Sequence, residues 1–329
     1  MINQELIDFA NFLADKSAQI AKKYFRLPNG EREKEDNTPV TKADREIEAM
    51  MRDHIQKKYP NHGIIGEEYD NINEKAEFIW VLDPIDGTSS FIIGRPIFGT
   101  LISLTRNKKP ILGIVNQPIT NERWLGIKDQ GAWFFDSNAR QTIGEVQSDF
   151  NDKTISLNGN ELLCDDISRQ KHFDANSRQT IGEVQSDFND KTISLNGNEL
   201  LCHRIKTRKV TKVADAVMGS SSPYYFQNED KKILEHLTKL TKYQKIGGII
   251  YGGDCYSFAC LAMGLVDVVI EPGLKCYDYA ATQIIIEEAG GIITDWQGND
   301  LDLKSHVRVL ACGNKELHEN ILQEIKNTL

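Results

Sequence analysis

One short stretch constrains this chain more than any other. An apolar run at residues 78–82 is followed by two aspartates three positions apart, Asp83 and Asp86, with Pro84 between them. The run predicts a buried strand that ends at Pro84, because proline has no N–H to donate to a neighbouring strand. Gly87 and three hydroxyl residues follow. Small residues let the backbone approach a ligand closely, and N–H groups that open a helix favour an anion. One loop therefore offers carboxylates for a divalent cation and donors for a phosphate.

Length and charge limit the classes of protein to which this chain can belong. With 329 residues, 40% of them hydrophobic, the chain can bury two ordinary cores, so two domains are expected. The net charge of −9 leaves no basic surplus for nucleic acid or an anionic membrane. No apolar run approaches the roughly 20 residues of a membrane span, no signal-peptide pattern is visible, and the six cysteines form no C-x-x-C pair. These features predict a cytoplasmic protein with reduced thiols that binds neither nucleic acid nor membrane.

The pattern of secondary structure changes near residue 210. Before it, amphipathic helices and then strands are expected: helices at 3–25 and 41–58, and strands at 61–66, 78–82, 98–104, 111–115, 123–127 and 131–135. After it, strands and helices alternate: strands at 215–219, 266–270, 291–294 and 307–311, and helices at 229–243, 257–264, 279–289 and from 315. We therefore expect an α/β protein with an α+β domain at 1–210 and an α/β domain at 211–329.

A tandem repeat interrupts the first half. Residues 135–164 return almost unchanged as residues 173–202, an offset of 38 (173 − 135), with differences only at Ser137/Ala175 and Ala139/Ser177. Each copy contains a strand, an Asn-Gly turn and a second strand. Two copies are too few for a repeat fold, so we interpret them as a duplication in a surface region that tolerates added length. An extra hairpin that contacts a partner is the functional alternative.

Three further acidic residues stand out. Glu67 follows a short apolar run, Asp44 lies in the first turn of the second helix, and Asp278 lies near the start of a later helix. Each also has a structural interpretation: Asp44 and Asp278 as helix caps or first-turn acids, and Glu67 as a solvated strand end. The string at 83–88 is harder to explain structurally, because it places carboxylates, N–H donors and a hydroxyl together. The chain has no G-x-S-x-G sequence, which argues against a serine nucleophile.

The motifs and their order resemble those of the inositol monophosphatase superfamily. They are Gly66-Glu67-Glu68, Asp83-Pro84-Ile85-Asp86-Gly87-Thr88, Gly252-Gly253-Asp254, Tyr277-Asp278 and Glu287-Glu288-Ala289-Gly290-Gly291. Apart from the repeat, the resemblance runs from the first helix to the last. Residues 91–100, 117–118, 122–124 and 252–256 are most similar to the histidinol-phosphate phosphatase branch. The resemblance implies the layered αβαβα fold of the sugar phosphatases.

The resemblance also implies a site for two to three Mg²⁺ ions. One ion would be bound by Glu67, Asp83 and the carbonyl of Ile85, a second by Asp83, Asp86 and Asp278, and a weaker third near Glu67 with Asp44 in its outer shell. Oxygen ligands and retained waters suit Mg²⁺. Lys34 would lie on a loop that covers this site, or it is simply a solvated lysine in a charged run.

The implied reaction is hydrolysis of a phosphomonoester by a water that the metals activate. Glu67 and Thr88 would orient this water, and Asp83 would complete the catalytic set. The backbone N–H groups of Gly87 and Thr88 would bind the phosphate. No covalent intermediate is needed, so Ser89 is not assigned as a nucleophile.

Substrate choice is expected in the second domain. Asp254 would pair with the amine of L-histidinol, although a helix N-cap is an equally weighted and compatible role. Glu271 matches a substrate-contacting acid of the family, and Arg95 is either structural or reaches the substrate.

The expected protein is a homodimeric histidinol-phosphatase of histidine biosynthesis. A phosphatase for inositol monophosphate, or for another sugar or nucleotide phosphate, is the alternative among enzymes. The alternative outside enzymes is a metal-binding pseudoenzyme that acts as an interaction subunit.

Overall fold

A computed structural model describes residues 2–27, 32–33, 39–136, 154–157, 160–163, 191–195, 198–241, 249–303 and 306–328. Within these ranges the α-helices are α1 (Gln4–Tyr24), α2 (Lys42–Lys58), α3 (Thr88–Ile92), α4 (Asn228–Leu240), α5 (Asp254–Ala262), α6 (Cys276–Glu288) and α7 (Lys315–Thr328). Two short 3₁₀ helices span Val213–Asp215 and Pro223–Tyr225. The described part of the chain contains no helix long and apolar enough to cross a membrane.

The strands fall on either side of the change in pattern near residue 210. Those before it are β1 (Arg32–Glu33), β2 (Pro39–Val40), β3 (Gly63–Gly66), β4 (Phe78–Asp86), β5 (Gly99–Arg106), β6 (Lys109–Gln117), β7 (Glu122–Ile127), β8 (Gly131–Asp136), β9 (Thr154–Leu157), β10 (Asn160–Leu163), β11 (Lys191–Leu195) and β12 (Asn198–Ile205). Those after it are β13 (Met218–Ser220), β14 (Ile249–Tyr251), β15 (Val268–Leu274), β16 (Ile292–Asp295) and β17 (Val307–Cys312). The domain boundary at 210/211 stays a prediction.

Two large sheets organise the fold. The first has eight strands in the order β11-β12-β8-β7-β6-β5-β4-β3, antiparallel throughout except for the parallel pair β3 and β4. The second has five strands in the order β14-β13-β15-β17-β16, with β13 parallel to both of its neighbours and the remaining pairs antiparallel. The short pairs β1–β2 and β9–β10 stand apart from both sheets.

Helices cover both faces of the large sheet, as the side chains of β4 show. Trp80 and Leu82 pack in a core with α1 and α2, whereas Ile79 and Val81 pack in a second core with α5 and α6. Neighbouring residues of a strand point to opposite faces, so β4 contributes to both cores. The second core also contains Val309 of the five-stranded sheet, and α4 and α7 cover that sheet's other face. The resulting order of helix, sheet, helix, sheet and helix layers confirms the expected α/β fold.

Helix α6 lies close against the large sheet. A Cβ at Gly113 of β6 would lie 2.3 Å from the carbonyl oxygen of Ala281, so only glycine permits this approach. The Ser103 hydroxyl of β5 donates to the carbonyl of Ala280 at 3.2 Å. These contacts bring the first turn of α6, which contains Asp278, close to the end of β4.

The expectation that the strand stops at Pro84 is wrong. β4 continues to Asp86, and its pairing with β5 shifts register between Asp83 and Asp86. The shift accommodates the missing N–H of Pro84, because an irregular pairing does not require a donor there. The Thr100 hydroxyl donates to the carbonyl of Pro84 at 2.9 Å, which satisfies that acceptor. The two aspartates therefore belong to a strand end and not to a loose loop.

Most other predicted elements are present, with shifted ends. Helix α2 begins at the N-cap Thr41, which forms a capping box with Asp44, and α1 and α2 match the predicted ranges within a residue or two. In the second half, α5 and α6 each begin three residues earlier than predicted, and β15 extends to Leu274. The predicted ends were set by apolar residues, whereas polar residues such as Asp254 and Asp278 form the actual first turns.

The two copies of the repeat differ in which strands they pair with. β12, in the second copy, continues through His203, Arg204 and Ile205, which pair with β8. The corresponding residues after the first copy are Asp165, Asp166 and Ile167, and the described part of that copy, β9 and β10, pairs only with itself. The Arg204 guanidinium lies 5.9 Å from the centre of the Trp133 ring, and a cation there is attracted by the ring face whereas a carboxylate would be repelled. The Asn-Gly turns lie outside the described residues.

Deletion of residues 137–174, which removes 38 residues, should leave the fold intact, because β12, which begins in the second copy and continues beyond it, supplies the strand beside β8. We expect a melting temperature within about 3 °C of the full chain, the shift that roughly 1 kcal/mol causes in a large domain. Differential scanning calorimetry measures this. Deletion of residues 165–202 is the matched control, because the product differs only at the two positions that distinguish the copies. An insoluble product from both deletions would contradict the assignment.

Candidate active site

Three aspartates meet where β4 ends and α6 begins. One carboxylate oxygen each from Asp83, Asp86 and Asp278 lies within 4.8 Å of the other two. Asp83 is 1% exposed, and its Oδ1 atom is buried without a hydrogen-bond partner among the described residues. Buried polar atoms normally have a partner, so this oxygen indicates a ligand that the protein itself does not supply.

The electrostatics of the cluster favour a bound cation. Burial raises the pKa of Asp83 well above its usual range, and the charges of Glu67, Asp86, Asp278 and Asp44 raise it further. Burial raises the pKa of Asp278 to about 7, with the charge of Glu67 adding to the effect. Neighbouring carboxylates in a low dielectric resist ionisation unless a positive charge lies among them. A set made only of hard oxygen donors fits a divalent cation such as Mg²⁺ or Ca²⁺.

Asp44 and Asp278 each hold a helix N-terminus with one oxygen. Asp44 Oδ2 accepts from the Thr41 N–H at 2.8 Å and Asp278 Oδ2 accepts from the Lys275 N–H at 2.7 Å. Both residues therefore do act at a helix start, as their structural interpretation predicted. Asp44 Oδ1 is nevertheless buried without a partner in the described structure, and burial raises the pKa of Asp44 to about 6. One oxygen of Asp44 accepts a hydrogen bond at the helix start, and the other is available to a ligand.

Glu67 lies directly after β3 and acts electrostatically on the same cluster. Its charge raises the pKa values of Asp83, Asp44 and Asp278, although it is not one of the three acids within 4.8 Å of one another. The structure therefore places Glu67 where its charge acts on the cluster, and its role as a metal ligand stays a prediction. Lys34 lies outside the described residues.

The turn after Asp86 places backbone and hydroxyl groups beside the acids. Gly87 has φ +81° and precedes the short helix α3. The Thr88 hydroxyl donates to the carbonyl of Ile85 at 3.0 Å, which leaves the lone pairs of Thr88 Oγ1 to accept another hydrogen bond. The Ile85 carbonyl also keeps one lone pair, since a carbonyl oxygen can accept twice.

Helix α5 contributes an acid, Asp254, to the surroundings of this turn. Asp254 Oδ2 lies 2.8 Å from the position that a Cβ on Gly87 would take. The N-cap of α5 is Gly253, not Asp254, and Asp86 Oδ2 accepts from the Cys255 N–H at 2.6 Å. The alternative role of Asp254 as the N-cap is therefore wrong. A carboxylate from the other sheet stabilises this helix end.

Glu271 lies close to Asp254 and is fully buried. Its Oε1 atom accepts from both the N–H and the hydroxyl of Ser221, at 2.6 and 2.9 Å, whereas Oε2 has no partner within the described structure. Burial raises the pKa of Glu271 to about 8, and the charge of Asp254 adds to the rise. The Arg95 charge acts in the opposite direction on the pKa of Asp254. The three residues predicted for substrate recognition are thus brought together.

Sequence reasoning missed several residues of this site. Ser221 orients Glu271, and Cys255 donates its N–H to Asp86. Tyr225 lies beside these acids with 62% of its surface exposed. Partial burial raises its pKa, and the charges of Asp254, Glu271 and Asp86 raise it further. The run of three serines that begins with the last residue of β13 was the signal available for Ser221, because polar residues at a strand end often line a site. Nothing in the local sequence indicated Tyr225.

Comparison with known proteins identifies the class. A model of the inositol monophosphatase family matches residues 2–190 and 176–329, and the two matches overlap inside the second copy of the repeat. The bifunctional phosphatase IMPL2 of Arabidopsis thaliana is 34% identical over 325 residues, covering 96% of this chain and 73% of that protein. The histidinol-phosphatase of Chlorobaculum parvum is 27% identical, covering 96% and 94%.

A solved structure supports the same family. An inositol monophosphatase from Zymomonas mobilis superposes with a TM-score of 0.69 at 33% identity, covering 98% of both chains. The fold is thus that of the inositol monophosphatases, a family of metal-dependent phosphatases that act on small phosphorylated substrates. The chain belongs to the inositol monophosphatase family.

Substitution of Asp278 by Asn should stabilise the metal-free protein, and more strongly at pH 8 than at pH 5. The folded-state pKa of about 7 lies above the ordinary value of 3.8. The stability that protonation of this carboxyl contributes is therefore complete below about pH 4 and is lost as the pH rises through 7. Asparagine does not ionise and avoids the loss. Thermal melts in a chelator at both pH values measure the effect.

Added Mg²⁺ is the control for this substitution. At pH 8 it should raise the melting temperature of the native chain more than that of Asp278→Asn. A variant less stable than the native chain in chelator at both pH values would contradict the repulsion inferred here.

Proposed function

We propose that this protein is a Mg²⁺-dependent phosphomonoesterase. The observation that carries the proposal is the buried cluster of Asp83, Asp86 and Asp278, with an unpartnered oxygen on Asp83. Membership of a phosphatase family supports the same reaction class.

The metal would be held by the acids already described. Glu67, Asp83 and the Ile85 carbonyl would form one set of ligands, Asp83, Asp86 and Asp278 a second, and Glu67 with the outer-shell Asp44 a weaker third. When bound, divalent cations supply positive charge to the phosphoryl oxygens and lower the pKa of water at the site.

The chain's own groups would bind and orient the reactants. The N–H groups of Gly87 and Thr88 would donate to phosphate oxygens, and small side chains at this turn would let the phosphate approach. The Thr88 hydroxyl already donates to Ile85 O, so it would accept a hydrogen bond from the attacking water. Glu67 would hold the same water from the other side, in line with the ester bond. The leaving alkoxide would take its proton from solvent.

We further propose L-histidinol phosphate as the substrate, within histidine biosynthesis. Asp254 and Glu271 place two buried carboxyl groups beside the phosphate turn, and a substrate amine would favour their ionised forms and pair with them. Arg95 would hold Asp254, since its charge lowers the pKa of that carboxyl. The similarity to a histidinol-phosphatase supports this choice. The similarity to an inositol monophosphatase supports inositol phosphates, or another sugar or nucleotide phosphate, as the alternative.

The cellular setting and the oligomeric state complete the proposal. We propose a cytoplasmic homodimer: the cysteine pattern supports the cytoplasm, and the resemblance to the family supports the dimer. A metal-binding pseudoenzyme that serves as an interaction subunit is the alternative outside enzymes. The presence of the whole acid set favours catalysis, because binding to a partner does not require it.

Substitution of Asp83 by Asn should reduce phosphate release by at least about 100-fold, the effect of losing an electrostatic group at a reacting centre. Release of inorganic phosphate from histidinol phosphate at saturating Mg²⁺ measures this. Asp53→Asn is the matched control, since Asp53 lies on the exposed side of α2 in an ion pair with Lys57. Phosphate release by Asp83→Asn at the native rate would refute the catalytic role.

Substitution of Asp254 by Asn should raise KM for histidinol phosphate about tenfold and change KM for inositol 1-phosphate little, because only the first substrate has an amine to pair with the carboxylate. A loss of 1.4 kcal/mol in binding corresponds to that factor. Steady-state kinetics on both substrates test this. A native chain that prefers inositol phosphate would overturn the substrate but leave the reaction class standing.

A further inference from the structure

Helix α2 carries a buried ion pair that has no part in the proposed reaction. Glu48 and Arg52 are one turn apart, and Arg52 Nε donates to Glu48 Oε1 at 2.7 Å. The Glu48 side chain is 0% exposed and that of Arg52 is 9% exposed. Burying two charges is costly and does not by itself stabilise a fold, so the contacts that the pair makes need an explanation.

All remaining hydrogen bonds of the pair go to the segment that follows β3. Glu48 Oε2 accepts from the N–H of Glu68 at 2.8 Å. Arg52 Nη2 donates to the carbonyl of Tyr69 at 2.9 Å, and Nη1 donates to the carbonyl of Asp70 at 2.8 Å. The pair therefore holds three consecutive backbone units, and Glu67 is the residue directly before them.

The residue on the other side of Glu67 is held as well. The parallel pairing of β3 with β4 ends at Gly66, opposite Leu82. A Cβ on Gly66 would lie 2.1 Å from Glu48 Oε1 and 2.8 Å from Arg52 Nη2, so the backbone at Gly66 lies directly against the ion pair. Glu67 is thus flanked by a strand end and by a segment that the ion pair clamps.

The helix that carries the pair also carries a candidate site residue. Asp44, Glu48 and Arg52 follow one another at intervals of four, which places them on one face of α2. Asp44 lies in the first turn of the helix, and Glu67 is close enough for its charge to add to the rise that burial causes in the pKa of Asp44. One rigid face therefore positions both Asp44 and the segment that contains Glu67.

We propose that Glu48 and Arg52 are positioning residues for metal binding. They fix the backbone of the segment that contains Glu67 and so orient the Glu67 carboxylate toward Asp83. This inference rests on the metal site of the proposed function. Groups that orient metal ligands without touching the metal affect affinity by about 10- to 100-fold. A purely structural pair would affect stability alone.

The test compares Arg52→Lys with a matched control. Lysine keeps the positive charge but cannot reach Glu48 Oε1 and both carbonyls at once, because it lacks the planar fork of arginine. The control is Arg208→Lys. Arg208 forms a pair with the fully buried Asp267, which also accepts the Val217 N–H, and none of these residues contributes to the acid cluster.

The readout is Mn²⁺ binding to the substrate-free protein, followed by the EPR signal of free Mn²⁺, together with the melting temperature in chelator. We expect the Kd of Arg52→Lys to rise by about 10-fold or more. Arg208→Lys should lose stability while its Kd stays within about twofold of the native value. A folded Arg52→Lys protein with a native Kd would overturn the proposal.

Two further variants cover the case in which Arg52→Lys does not fold and separate the positioning role from the metal site itself. If Arg52→Lys does not fold, Glu48→Gln/Arg52→Gln removes both charges, leaves no unpaired charge buried, and should fold with the same weakened Kd. A native Kd for this double variant would also overturn the proposal. Asp83→Asn tests the metal site separately: native Mn²⁺ binding in that variant would refute the proposed site itself, whereas loss of binding there with native binding in Arg52→Lys would refute only the positioning role.

Discussion

Repulsion between buried carboxylates is the constraint on which this structure depends. Asp83, Asp86 and Asp278 lie together in a region of low dielectric, and the charge of Glu67 adds to theirs. Without a cation, this arrangement raises pKa values and costs stability, since each negative charge opposes the next. The fold keeps the acids in place because each one is attached to a packed element. A cation placed among them would convert the repulsion into attraction, and stability would then depend on its concentration.

Shared use of carboxylate oxygens makes the attachment possible. Asp44, Asp278 and Asp86 each accept a backbone N–H with one oxygen, from Thr41, Lys275 and Cys255 respectively. Such a bond fixes the orientation of the side chain, so the entropy of ordering it is lost on folding and not on binding. The structural and functional interpretations of these aspartates are therefore complementary. A helix cap and a ligand can be the same carboxylate.

The proposed phosphate turn and two of the proposed recognition residues, Asp254 and Glu271, come from different parts of the fold. The turn at Gly87 follows a strand of the eight-stranded sheet, whereas Glu271 lies on β15 of the five-stranded sheet and Asp254 begins the helix between them. The turn presents groups that any phosphomonoester can use. In the proposed function, discrimination among substrates would come from the other sheet and from α5. The bond between Asp86 and the Cys255 N–H joins α5 to the end of β4.

Patterns between near neighbours in the sequence determined a large part of this description. The amphipathic helices α1 and α2, the capping box at Thr41, the strand that leads to Asp83 and the identity of the acids all depend on residues within a few positions of one another. The motifs and their order also implied the family and the layered fold. The site residues assigned from that resemblance remain proposals, although the structure brings most of them together.

Only the tertiary structure decided the contacts between distant segments. The continuation of β4 past Pro84 depends on pairing with β5, and the capping of α5 by Asp86 joins residues 169 positions apart. The hydrogen bonds from Arg52 to Tyr69 and Asp70, and the pairing of His203, Arg204 and Ile205 with β8, also join distant segments. The physical reason is that a local pattern reports which side a residue buries and how a helix begins. It does not report which distant backbone group will meet a buried charge.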